Sequence, residues 1–374
     1  MRLLVQLKMS IFKTRKQRLM ALMKEQGLKS VILSPSANMY YMTGFNTFPG
    51  ERFLAAIFMQ NGEVVFVVPK LYEQEVREHA SFDRLLSWDD SQNPTDLLEG
   101  IVSQYGLENS GAAIEDTMWF CAFQKIMKAY INTNYKPASE IIGELRICKS
   151  SDEIAKLRKA GELADKALVN TVGKVSAGMT ELEVKDILVK EMKVAGLAAP
   201  SFDTIVGSGS NSALPHYTAG HKVINEGDAV VIDFGGIYEE YCSDMTRTFH
   251  VGSPSDEYIE VYNVVKEAQQ RAIDAVKPGV KASEIDAAAR RYITEKGYGQ
   301  YFIHRTGHGI GMEVHETPYI SEKSDVILRQ GMVFSIEPGV YLPGKFGVRI
   351  EDIVAVTEDG CERLNNFSKE LEII

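Results

Sequence analysis

Four carboxylates in this chain stand beside apolar runs of the kind that form interior strands. Asp233 follows Ala229–Ile232 in DAVVIDFGG, and Asp244 lies on the return strand in SDMTRTF. Glu337 ends the apolar strand in VFSIEPG, and Glu351 lies near the middle of VRIEDIVAV. One such carboxylate is more often a cap or an ion-pair partner than a ligand. Four of them need cations or protons, because buried unpaired anions are very costly. The nearby arginines that qualify are few, Arg247 and Arg349. Two divalent ions balance four negative charges, and His308, bracketed by glycines in GHGIG, adds one neutral nitrogen. Oxygen-rich ligands with one imidazole and no thiolate favour Mn²⁺, Co²⁺, Fe²⁺ or Zn²⁺ over copper or a closed structural zinc site. A pair of such ions is suited to hydrolysis. A purely structural ion-pair network is the alternative, and these segments do not supply its cations.

The elements that must hold these groups are legible as punctuation. Residues 228–249 predict two strands joined by a turn at Glu239-Glu240, with Asp233 and Asp244 brought side by side and Thr246 and Thr248 on the face of Asp244. Ser150 with Glu153, and Thr180 with Glu183, have capping-box spacing. They predict a helical segment from residue 150 closed by Gly178, then a helix to about Val194. Helices over Glu260–Lys277 and Ser283–Lys296 repeat that arrangement, with Pro278-Gly279 between them. Each pair precedes apolar strands, so the region predicts two halves related by a pseudo-two-fold, with a site where they meet.

Upstream, helices near 13–26, 72–79, 95–105 and 118–130 alternate with apolar runs at 30–33, 52–59 and 63–68. That is an α/β pattern, which we end at residue 149. The predicted fold class is therefore α/β (α+β), with an N-terminal α/β domain at 1–149 and a second domain at 150–374.

Composition narrows the function. The 374 residues are 45% hydrophobic and 25% charged, an ordinary globular balance. The net charge of −10 argues against a phosphate-tracking nucleic-acid surface. The four cysteines include no C-x-x-C pair and read as reduced thiols. No apolar run approaches the length of a membrane span, and the one near the N-terminus is too short for a signal-peptide core. The expectation is a cytoplasmic protein with no nucleic-acid or membrane partner.

The ordered motifs IDFGG, SDMTRT, GHGIG, VHE, SIEPG and VRIED resemble those of the aminopeptidase P/prolidase family, which shares the pita-bread fold of methionine aminopeptidase and creatinase. The resemblance covers nearly the whole chain. Residues 38–45, NMYYMTGF, look like the family's N-terminal creatinase-like domain, though alone they read as any strand and turn in a core. The resemblance implies a dinuclear centre held by Asp233, Asp244, His308, Glu337 and Glu351, with Mn²⁺ the favoured ion. It implies that His216, in NSALPHY, and His315, in VHE, contact the scissile peptide, and that Glu337 also moves a proton. It leaves His304 outside the ligand set. It further implies removal of the N-terminal residue from short peptides at Xaa-Pro bonds, and a homodimer. One departure stands out. Many prolidases carry an arginine four residues after the second histidine, where it grips the dipeptide carboxylate, and this chain has Tyr319 there. Longer peptides thereby gain as substrates. The alternatives are a broader aminopeptidase accepting Ala or Ser at the second position, and a binding module that keeps the fold without the chemistry.

Overall fold

The alternating runs of the first part become a six-stranded mixed sheet in the computed structural model, which describes residues 2–374. The chain divides into two compact units between Arg146 and Ile147. The first contains α1 (Arg2–Glu25), β1 (Leu28–Leu33), α2 (Ala37–Thr43), β2 (Ala55–Met59), β3 (Val64–Pro69), α3 (Glu73–His79), β4 (Arg84–Trp88), α4 (Pro94–Tyr105), β5 (Gly111–Ile114), α5 (Phe120–Ala129), β6 (Asn134–Pro137) and α6 (Ser139–Arg146). Its sheet order is β4-β3-β2-β1-β5-β6, with β1, β5 and β6 parallel and β2 antiparallel to both neighbours. Local chemistry sets the helix ends. At α4, the Asn93 side chain accepts from Thr95 N, Pro94 fits the first turn, and Gly106 closes the helix at φ 60°. Residues 37–43 depart from the strand-and-turn expectation. They form a helix because Ser36 caps one end and Gly44, at φ 79°, the other.

In the second unit both capping boxes form. They open α7 (Ser151–Val172) and α8 (Glu181–Ala195). The first of these stops at Gly173 rather than running toward Gly178. Then come β7 (Ile205–Ser208), β8 (Ala229–Phe234), β9 (Ile237–Tyr238), β10 (Tyr241–Cys242) and β11 (Met245–His250). The second half repeats the scheme with α9 (Asp256–Asp274), α10 (Ala282–Glu295), β12 (Gly307–Gly309), β13 (Glu316–Ile320), β14 (Val333–Ile336), β15 (Gly339–Leu342), β16 (Phe346–Arg349), β17 (Asp352–Val356) and β18 (Cys361–Arg363). Each helix pair covers its own sheet. Leu168 and Leu188 pack with Val230 and Ile232 of the β11-β8-β7 sheet. Val265 and Ile285 pack with Phe334 and Val354 of the β13-β12-β14-β17-β18 sheet. Burying one such side chain stabilises the fold by about 1.5–3 kcal/mol. The unit is thus a pita-bread fold of two like halves, and its inner strands supply the site.

Candidate metal centre

The ribbon from β8 to β11 carries both aspartates. Glu239 and Glu240 make its tip, both at positive φ, as a two-residue hairpin turn between β9 and β10 requires. The ribbon breaks at Gly235-Gly236 opposite Ser243. A Cβ on Gly235 would sit 1.8 Å from Ser243 O, so only glycine allows this approach. The register places Asp233 opposite Thr246, not opposite Asp244. The two aspartates are therefore diagonal neighbours, since Asp244 shares a face with Thr246 two residues on. Glu351 also sits differently from expectation. It occupies the break between β16 and β17 rather than the middle of a strand, and its amide donates to Thr246 O at 3.1 Å.

His308 is the central residue of β12. That short strand lies between β13 and β14, pressed so closely that a Cβ on Gly307 would meet Ser335 O at 1.8 Å. The hydroxyl of Ser335 accepts from His308 N at 3.0 Å and donates to Glu337 Oε1 at 3.1 Å. Adjacent strands thus set the spacing of His308 and Glu337.

All seven residues singled out from the sequence, Asp233, Asp244, His308, Glu337, Glu351, His216 and His315, line one cavity of about 660 Å³. The donor atoms of Asp244, His308 and Glu351 lie within 4.8 Å of one another. His308 Nε2 is 3.3 Å from Glu337 Oε1 and 3.5 Å from Asp244 Oδ2. Its Nδ1 lies 3.1 Å from the Gly309 carbonyl, which can only accept, so Nδ1 carries the proton and Nε2 turns a lone pair toward the carboxylates. Burial, then the His315 ring beside it, holds His308 down to about 3, so it is neutral.

The cavity floor lacks matching positive charge. Arg349 pairs with Asp233 at 2.6 Å, and its other donors go to Tyr341 OH and Thr246 Oγ1. Arg247, the other arginine expected to qualify, pairs with Asp352 instead. Among the described residues, Arg349 is therefore the one guanidinium ion-paired on a floor of four carboxylates. Burial, then the charges of Glu351, Asp233 and Glu337, holds Asp244 well above the usual carboxylate range. Burial, then Glu337 and Asp233, does the same to Glu351. Burial pushes Glu337 up to about 7, with Arg349 offsetting part of the effect. Asp233 Oδ1 is buried with no hydrogen-bond partner. Clustered carboxylates, an open oxygen and an imidazole lone pair on one floor fit divalent cations.

Two groups escaped sequence reasoning, one behind the cavity lining and one in it. Tyr341 joins Arg349 Nη1 (2.7 Å) to His304 Nε2 (2.8 Å); its proximity depends on the β15–β16 hairpin. Arg305, next to His304, lines the cavity with its guanidinium 4.3 Å from the centre of the Tyr319 ring. Its only local signal was an arginine three residues before His308.

Two like halves closing on a buried, oxygen-rich, cation-hungry floor define a metallohydrolase of the pita-bread class. The chain belongs to metallopeptidase family M24, whose model matches residues 155–358, while the creatinase/prolidase N-terminal domain matches residues 15–148. The Xaa-Pro dipeptidase of Pyrococcus furiosus is 39% identical over 359 residues, covering 96% of this chain and 99% of that protein. The structure of recombinant prolidase from Thermococcus sibiricus superposes with a TM-score of 0.93 at 40% identity, covering 97% of this chain and 99% of that one. The X-Pro aminopeptidase from Thermotoga maritima gives 0.84 at 36% identity, over 96% of this chain and 99% of that one. No helix among the described residues is long and apolar enough to cross a membrane.

Proposed function

We propose that this chain removes the N-terminal residue from short peptides at Xaa-Pro bonds, using two divalent ions held by Asp233, Asp244, His308, Glu337 and Glu351. The observation that carries the reading is the cavity floor, where Arg349 is, among the described residues, the one guanidinium ion-paired among four carboxylates that face a neutral imidazole lone pair. The relatives named as Xaa-Pro dipeptidase and prolidase support the bond type. We assign the chemistry to residues 150–374 and a creatinase-like domain to 1–149. Mn²⁺ is the favoured ion, with Co²⁺, Fe²⁺ and Zn²⁺ as alternatives, in a cytoplasmic homodimer.

When bound, the ions supply Lewis acidity at the scissile carbonyl and a water acidic enough to attack near neutral pH. His216 and His315 donate hydrogen bonds to the carbonyl oxygen as negative charge develops there, each worth a few kcal/mol of barrier. Burial, then the charges of Arg305 and His216, holds His315 below its ordinary range. Glu337 accepts a proton from the attacking water and returns it to the departing proline nitrogen. That nitrogen has no N–H in the substrate, so the reading requires no acceptor for it. Arg349 and Thr246 keep Asp233 and Glu351 in place.

The test is release of the first residue by protein stripped of metal and reloaded with Mn²⁺, Co²⁺ or Zn²⁺. Ala-Pro, Ala-Pro-Gly and Met-Ala-Ser are the substrates, with Asp244→Ala as the blank. Metal-dependent cleavage of either proline peptide is the expected result. Activity confined to Met-Ala-Ser would move the assignment to a broader aminopeptidase. No turnover with any ion would leave a binding module.

A further inference from the structure

Among the described residues, no hydrogen bond fixes the ring of His315. Its neighbour is the His308 ring, 4.2 Å away between centres. The aim of the imidazole therefore depends on the loop between β12 and β13, residues 310–315. Alternate residues of that loop, Ile310, Met312 and Val314, pack with Leu157 of α7. Gly311 N donates to Glu313 O at 3.0 Å, and Cys242 N donates to Gly311 O at 2.8 Å. The far end is held by the residue after His315. The Glu316 carboxylate turns back into the loop, where its Oε1 accepts from Glu313 N at 3.0 Å. A Cβ on Gly311 would lie 2.7 Å from Oε1 and 2.8 Å from Oε2, so the carboxylate takes the space a side chain there would need.

An acid this deep needs a cation. Lys149 Nζ meets Glu316 Oε2 at 3.2 Å, with the two side chains 2% and 7% exposed. Lys149 is itself pinned just ahead of β14, its N donating to Gly331 O at 2.7 Å. A Cβ on Gly331 would in turn come within 2.8 Å of Lys149 O. A buried ion pair adds little stability over apolar groups of the same size, but it does fix a geometry. Glu316 stands opposite Gly309 in the pairing of β12 with β13, so His308 and His315 each lie one residue from the point where the loop closes. We propose that the buried Lys149–Glu316 pair is a positioning device for His315, holding residues 310–315 so that the imidazole meets the scissile carbonyl. The inference rests on the role given to His315 above and adds two residues that act through it.

The experiment measures kcat and KM on Ala-Pro for the Mn²⁺-loaded full chain as wild type, Lys149→Met, His315→Ala and Lys149→Met/His315→Ala. Without its cation, the Glu316 carboxylate must leave the loop or take up a proton. A reacting group displaced by about 1 Å costs up to about 100-fold. Lys149→Met should thus lower kcat by roughly 10- to 100-fold and leave KM within about 3-fold. In the His315→Ala background the same change should cost less than about 3-fold, because the ring it acts through is already gone. Lys149→Met/Glu316→Gln, which removes both charges and keeps an oxygen for Glu313 N, should regain most of kcat. Amide hydrogen exchange on the ion-free chain reads the loop directly. Exchange at residues 311–315 should quicken in Lys149→Met while α9 keeps its wild-type rates. If Lys149→Met does not fold, Glu316→Gln takes its place in the same comparison, with the same dependence on His315 expected. Equal losses with and without His315, a wild-type kcat in Lys149→Met, or unchanged exchange at 311–315 would overturn the inference and leave the Xaa-Pro reading intact. A wild-type kcat in His315→Ala would remove the role of His315 and this inference together.

Discussion

Two sets of buried acids sit back to back in the catalytic unit, and only one is satisfied by the protein. On the floor of the cavity, Arg349 pairs with Asp233, and among the described residues no arginine or lysine pairs with Asp244, Glu337 or Glu351. One residue past Glu351, Asp352 is fully buried and amply partnered. Arg247 reaches it at 2.6 Å, Gln269 at 3.0 Å and Arg363 at 3.5 Å. Asp286 is likewise matched by Arg290 and Thr306, and Glu316 by Lys149 at 3.2 Å. The same side-chain chemistry at the same depth has opposite charge balance. The folded chain supplies cations to Asp352, Asp286 and Glu316, and far fewer to the floor acids that we propose hold metal ions. Glu181 is an intermediate case. It is fully buried and accepts from Ser208 N, Ser208 Oγ and Asn211 Nδ2, with no ion-pair partner among the described residues. Through those bonds it holds the turn that leads to His216.

Neutralising one acid from each set should break the two apart. Asp244→Asn is expected to reduce peptide hydrolysis to background yet raise the unfolding free energy of the ion-free protein at neutral pH, because it removes a repelled charge. A destabilised ion-free Asp244→Asn would mean that the floor is satisfied after all. Asp352→Asn leaves Arg247 buried against a neutral partner and should cost about 3–5 kcal/mol in a denaturant titration. A loss below about 1 kcal/mol would dissolve the contrast.

Acidity sharpens the comparison. Glu337 is raised from its ordinary 4.5 to about 7 without ions, and Asp244 and Glu351 shift in the same direction. A carboxyl whose folded pKa is raised stabilises the fold below its unfolded pKa, and that contribution is lost as pH rises through the folded value. The stripped protein should therefore weaken between about pH 4.5 and about pH 7, while bound ions cancel the repulsion. Calorimetric Tm differences between loaded and stripped protein should widen across that window, and a constant gap would count against the floor as the cause. The smallest effect belongs to Glu181→Gln. An amide keeps one accepting oxygen and strands no cation, so stability should change by less than about 1 kcal/mol. A loss of several kcal/mol would place Glu181 with the matched set.

The parts legible in the sequence were those written in local chemistry. The capping boxes at Ser150 and Thr180, the turn at Glu239-Glu240 and the four strand-flanking acids all depend on near neighbours, and all can be read without knowing the fold. The helix at 37–43 was missed because its start is set by one serine and its end by one glycine within a short apolar stretch. The diagonal placement of Asp233 and Asp244 needed the register, which the break at Gly235 controls. Arg305 was invisible for a different reason. Its place on the cavity wall, stacked on Tyr319, follows from the pairing of β12 with β13, and a sequence does not show that pairing.

The close approach at Gly307 has a consequence for how this molecule can change. There, two backbones meet with no room for a methyl group, and the strand they hold carries His308. The requirement comes from the main chain and would persist in a descendant that had lost every ion. Asp244, by contrast, is needed under the function proposed above only while the chemistry is. Substitutions tolerated at one position and forbidden at the other would separate the frame's history from the enzyme's, and the frame would be the slower to drift.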